Sequence, residues 1–396
     1  MAGDDEALPH PGEPEFNPFA QLPLFGDLAK ALSGQGPLNW DAAKQFAALS
    51  STGGEPEANV DPTVRMAYEN LAGIVEMHVR DLTGIEHAGA RLELVTKGVW
   101  AQRTLDAYRP LFTELAAALA RPAAPSEDDA PDDPMLAMMA GLSQMLAPSM
   151  MGMSLGSMVG RLATRAFGQY DLPIPREGAA TLLIVPSSVD QFADDWSLPV
   201  DEMRLWVMAQ ELIGHAVYSH DTVRRAITSL VQRHVGAFRP DPASVSEKLA
   251  TLEVDQSDPM AALQQAFSDP EVLLGAVRSH EQIALAPVLD AATAAVLGYV
   301  DYMVDGVAAR LIGGDALRIA EAVRRRRVEA TSEDVFIERL LGLQVTPALV
   351  QRGKNFVGGV VDRVGEAGLI RLFGPGALPT PAEIDAPGLW LARIDI

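Results

Sequence analysis

Apolar residues recur at three- and four-residue spacing along most of this chain, and that period predicts helices. Asn39-Trp40-Asp41 opens one that runs to Leu49, with Asn39 or Asp41 available as cap, and Asp61-Pro62 opens another. The second carries Val64, Met66, Leu71, Ile74 and Met77 and ends near Leu82. Further helices are predicted over 97–119, 161–168, 201–219, 221–236, 244–252, 259–267, 270–278, 281–311, 315–326, 333–341 and 346–365. One stretch breaks the pattern. Ala180 to Val185 is a continuous apolar run of strand length ended by Pro186, with a shorter extended piece near Arg91 to Val95 as its partner. The expected fold class is therefore mainly α (α+β), a multi-helix body with a small β element ahead of the 201–219 helix.

The ends and breaks divide the chain. Residues 1–24, rich in Pro, Gly and acid and without an apolar h-region, read as a tail rather than a secretory signal. A helical region is expected over 25–120 and an acidic loop over 121–134. A helical core then spans 135–374, and 375–396 reads as a Pro-rich tail. Met135 to Gly160 has no charge and holds eight of the 15 Met residues. Its length suits a bilayer, but Gly, Ser, Gln and Pro are frequent and branched apolar residues sparse. Two packed helices broken near Pro148, with glycines allowing close approach, fit it better than a membrane span.

Composition narrows the function. Thirty-one Lys and Arg against 53 Asp and Glu give a net charge of −22, which argues against nucleic acid and anionic lipid as partners. With no Cys there is no disulfide framework, thiol nucleophile or thiolate metal site, and a cytoplasmic location is expected.

The informative stretch is Leu198 to His220, a long predicted helix soon after a strand. Zinc peptidases present HExxH on such a helix, two His at i and i+4 with the Glu between them as general base. With Glu211 in the base's place, the ligand positions are Gln210 and Gly214. Gln offers only a neutral carbonyl and Gly no side chain.

Several segments together resemble the actinobacterial zincin-like family of zinc-dependent metallopeptidases and hydrolases. Gly36-Pro37-Leu38-Asn39-Trp40-Asp41, Phe167-Gly168-Gln169-Tyr170-Asp171-Leu172-Pro173, Leu183-Ile184-Val185-Pro186 and Arg204-Leu205-Trp206-Val207 are similar to its motifs. So are Leu297-Gly298-Tyr299-Val300-Asp301 and the arginine run Arg324 to Arg327. The resemblance spans roughly residues 20 to 395 and implies a zincin-like fold and hydrolase chemistry. It also makes Leu297 the position of a downstream acidic ligand, a third departure beside Gln210 and Gly214.

Glu211 and His215 are the candidate catalytic residues, four apart and able to share a face; a structural, hydrogen-bonded pair is the plainer use. His220 lies five residues further, roughly 140° around the helix, and joins them at one metal only if the helix bends. Asp301 and Asp305 can face Glu211 across a cleft or serve as a solvated face, and Tyr299 can bond Glu211 or pack in the core. The arginine run suits a helix C-terminus. Gly313-Gly314, Gly358-Gly359 and Ser187-Ser188 lack the context of a phosphate loop or a nucleophile elbow.

Three functions follow as expectations. The first is a zincin-like protein without its metal, acting as a binding or scaffold protein for a peptide or protein in the former active-site cleft. The second is an active metallohydrolase with Glu211 as base and zinc on relocated ligands such as His215. The third is a membrane partner using the Met-rich segment. The first expects no cofactor and the second expects zinc; a homodimer is compatible with either.

Overall fold

The computed structural model describes residues 36–84, 91–121, 134–176, 181–239, 279–329 and 336–395, with side chains of 134–144 left aside. The helices expected at 244–252, 259–267 and 270–278, the tail at 1–24 and nearly all of the acidic loop lie outside them. Thirteen helices are described: α1 Trp40–Thr52, α2 Pro62–Thr83, α3 Lys97–Ala107, α4 Arg109–Leu119, α5 Pro134–Arg165, α6 Pro186–Asp195, α7 Val200–Ser219, α8 Asp221–Gly236, α9 His280–Leu311, α10 Ala316–Val328, α11 Phe336–Leu340, α12 Pro347–Val364 and α13 Pro387–Ile394. Two strands, β1 Arg91–Leu94 and β2 Thr181–Ile184, pair in parallel with Arg91 opposite Thr181 and Leu94 opposite Ile184. The mainly helical class with one small sheet is what the periodicity predicts.

Local chemistry sets the helix ends. Asn39 caps α1 by accepting from Ala42 N–H, and Asp61 caps α2 by accepting from Thr63 N–H. The single helix expected over 97–119 is two, because Tyr108 leaves helical geometry before Pro110, which sits in the first turn of α4. The break expected near Pro148 does not occur, and α5 runs through it. The Pro148 carbonyl instead accepts from Asn39 N–H, 2.9 Å away. Gly152, Gly156 and Gly160 form a side-chain-free stripe beneath α1; a Cβ on them would stand 2.3, 2.2 and 2.6 Å from the carbonyl oxygens of Asn39, Ala43 and Ala47. The glycines of the Met-rich segment thus serve close helix approach. α2 turns a different face inward from the one its apolar residues suggest: Tyr68, Val75 and Val79 are buried, whereas Met66, Ile74 and Met77 are exposed. The C-terminal stretch read as a tail carries α13, whose Trp390 is buried edge-on against Phe356.

Two helices form the centre. α7 is buried on all sides from Trp206 to Tyr218, and α9 from Ala291 to Asp301. α9 packs against α7, α8 and α12. α9 is the one described helix long and apolar enough to cross a bilayer, yet 67% of its most apolar window is buried in the protein. A helix enclosed in this way is a core helix. α7 and α9 bring the residues of the informative stretch opposite those of the Leu297–Asp301 segment.

Candidate functional site

Glu211, in the middle of α7, has no exposed surface. One carboxylate oxygen, Oε2, accepts from Tyr170 N–H at 2.9 Å, and Oε1 has no hydrogen-bond partner among the described residues. Burial pushes its pKa up to about 8, the nearby Asp171 carboxylate adds to the rise, and the Tyr170 N–H opposes it.

The turn that supplies this N–H is built by the sheet. Phe167 and Gly168 run antiparallel to the end of β2, with Val185 N–H donating to Phe167 O at 2.8 Å. Trp100 Nε1 donates to Gly168 O at 2.8 Å, and Asp171 Oδ2 accepts from the N–H groups of Phe167 and Gly168 at 2.5 and 2.9 Å. Gly168 lies so close to Glu211 that a Cβ there would stand 2.4 Å from the carboxyl carbon. A Cβ at this position would force the Glu211 carboxyl to move.

Tyr170 links the two candidate catalytic residues. Its N–H holds Glu211, and its hydroxyl lies 3.0 Å from His215 Nδ1. Ser219 Oγ is 3.4 Å from the other His215 nitrogen, and His215 is buried. The Tyr170 ring stacks on Tyr218 at 5.1 Å and lies over Gly214, where a Cβ would meet ring atoms at 3.1 and 3.2 Å. His220 is not with them. It caps the end of α7 and packs against Phe373 at 5.1 Å. Tyr299, for which a bond to Glu211 and core packing were both open, is buried and meets Phe373 edge-on at 5.3 Å.

Gln210, Gly214 and Leu297 do converge. Together with Tyr170 and Tyr218 they line a cavity of about 60 Å³. Arg165, Arg326 and Arg327 line it too, with Asp171 and Glu338 as the acids. The arginine run is therefore more than a helix end. Arg327 Nη1 lies 3.2 Å from both oxygens of Asp301, and its Nη2 lies 3.5 Å from Gln210 Oε1. Arg324 bonds Asp305 at 2.7 Å, so Asp301 and Asp305 are counter-ions of α10. Arg165 pairs with Glu338. Arg326 lies over the Phe167 ring at 3.6 Å, with Asp171 Oδ1 3.6 Å away, and burial lowers its pKa to about 10. Among the described residues no group of three His, Asp or Glu is arranged to hold a metal ion.

Tyr170 and the arginines are the site residues that sequence reasoning missed. The 167–173 segment shows no periodicity, and its only signal is the resemblance itself. An acid in an apolar helix does require a donor from elsewhere, and that donor is the Tyr170 backbone.

The strand, the turn pinned to its edge and the buried glutamate helix behind it define a mainly helical protein of the zincin class. The chain belongs to the family described as Zincin-like metallopeptidase, whose sequence profile matches residues 38–391. No curated protein matches it. Among solved structures it is similar to that of a protein from Chloroflexus aurantiacus described as a putative hydrolase with a novel fold. That likeness has a TM-score of 0.59 at 22% identity and covers 90% of this chain and 99% of the other. It shows a shared fold.

Proposed function

We propose that this member of the zincin-like metallopeptidase family carries a degenerate HExxH and acts as a binding or scaffold protein rather than as a zinc peptidase. The observation that carries the reading is the convergence of Gln210, Gly214 and Leu297 on one cavity. These are the three positions where the family resemblance puts ligands, and none supplies an imidazole or a carboxylate. The fit to zinc fails on chemistry. The Gln210 amide oxygen faces the Arg327 cation, the space beside Gly214 holds the Tyr170 ring, and three guanidinium groups would repel a dication. Glu211, enclosed by Gly168 and Tyr170, has no surface from which to touch a substrate. Its role in this reading is to hold the 168–171 turn.

A second reading keeps hydrolysis, with Glu211 as general base and His215 as its partner or as a relocated ligand. The raised pKa of Glu211 favours it, because a base poised near neutrality suits proton transfer. A peptide-library cleavage screen of the purified chain, with and without added zinc and beside Glu211→Gln, separates the two. Binding without cleavage is the expected result. Cleavage abolished in Glu211→Gln would replace the first reading by the second.

A further inference from the structure

The cavity is cationic inside an acidic protein. Three arginines and two acids line it in a chain of net charge −22. The counter-ions are unevenly placed. Arg165 has Glu338, and Arg327 has Asp301 through Nη1. Among the described residues the acid nearest Arg326 is Asp171, whose Oδ1 lies 3.6 Å from Nη1 while its Oδ2 accepts from two backbone N–H groups. Arg326 Nη2 is buried and has no partner among the described residues. A buried guanidinium N–H with nothing to donate to is costly unless an acceptor is supplied from outside.

We propose that this cavity is an oxyanion-binding site, in which Arg326, assisted by Arg327 Nη2, holds a carboxylate or phosphate group. A guanidinium presents its N–H groups as a planar fork that suits two oxygens of such an anion. Arg326 is fixed for that task by the Phe167 ring beneath it. The Gln210 contact of Arg327, at 3.5 Å, is weak and yields readily to an ionised acceptor. About 60 Å³ is several times the ~10–15 Å³ one water needs, so an oxyanion of four or five heavy atoms fits. The low pKa of Arg326, to which Arg165 and Arg327 both contribute after burial, agrees with a surplus of positive charge that a bound anion would neutralise.

The inference rests on the reading of the cleft as a binding site rather than a metal centre, and the two fail separately. A chain without zinc that binds no anion refutes the inference alone; a chain that carries zinc refutes the reading. The test titrates the full chain with sodium phosphate and, separately, sodium acetate at fixed ionic strength balanced with chloride. Binding is followed by calorimetry and by the arginine Nε–Hε signals in NMR. Saturable binding of at least one probe is expected, falling about tenfold or more in Arg326→Gln and unchanged in Arg225→Gln, an exposed arginine of α8. Response to acetate alone marks a carboxylate such as a peptide C-terminus, and response to phosphate alone marks a phosphate ester. Equal affinity in Arg326→Gln and wild type overturns the proposal. So does the absence of any shift in the wild-type arginine signals, a result that holds even if the variant misfolds.

Discussion

Glu211 gives the molecule a pH dependence that can be derived from one side chain. Its folded pKa of about 8 lies above the ordinary 4.5, so between those values the folded chain keeps a proton that the unfolded chain has lost. Stability contributed by that proton is complete below about pH 4.5 and declines as pH rises to about 8, at up to ~1.4 kcal/mol per pH unit. Glu211→Gln removes the buried charge and keeps an oxygen for the Tyr170 N–H. Its melting temperature should exceed that of wild type at pH 9 and differ little at pH 5. A lower melting temperature at pH 9 would show that the ionised carboxylate has a stronger partner than the Tyr170 N–H. Gly214 gives a second test. Gly214→Ala gains about 1 kcal/mol of helix propensity against crowding of the Tyr170 ring and should be near neutral. Gly214→His must displace that ring and should cost ~2–3 kcal/mol by chemical denaturation, with loss of the Tyr170–His215 contact. At this scale motif spacing, which is local, points to Glu211, Gln210 and Gly214, while Leu297 is singled out only by the family resemblance. Motif spacing does not show Tyr170, which reaches the site through a turn fixed by strand pairing, nor the arginines, whose counter-ions lie on other elements.

Helix starts were legible at Asn39 and Asp61, where a cap acts locally, but the split before Pro110 was not. Nor were boundaries legible where a distant contact decides. Pro148 suggests a break that α5 does not have, and the helix is clamped to α1 through the glycine stripe. The inward face of α2 could not be read from its apolar residues, because it has more of them than one stripe holds; packing on α7 and α9 selects Tyr68, Val75 and Val79. The glycine stripe carries its own prediction. A side chain at Gly156 cannot be accommodated by a rotamer change, since its Cβ would sit 2.2 Å from the Ala43 carbonyl oxygen. Gly156→Leu should separate α1 from α5 and cost ~3 kcal/mol or more, seen as a large drop in melting temperature. Gly73→Leu on the solvent face of α2, with nothing within 4 Å, serves as its control and should change little.

For the molecule as a whole, helix periodicity and one apolar strand were enough to reach the mainly helical class, and the family match over 38–391 agrees. The two core helices bring Gln210, Gly214 and Leu297 to one cavity, which Arg165, Arg326 and Arg327 line together with Asp171 and Glu338. The proposal that the chain is a binding protein rather than a zinc peptidase requires that this cavity hold no zinc. Metal content by plasma mass spectrometry, on tag-free protein dialysed with and without zinc, tests it most directly. Zinc at background in both samples, with no difference from a Glu211→Gln, His215→Ala double mutant, is the expected result. About one zinc per chain, lost in the double mutant, would contradict the proposal.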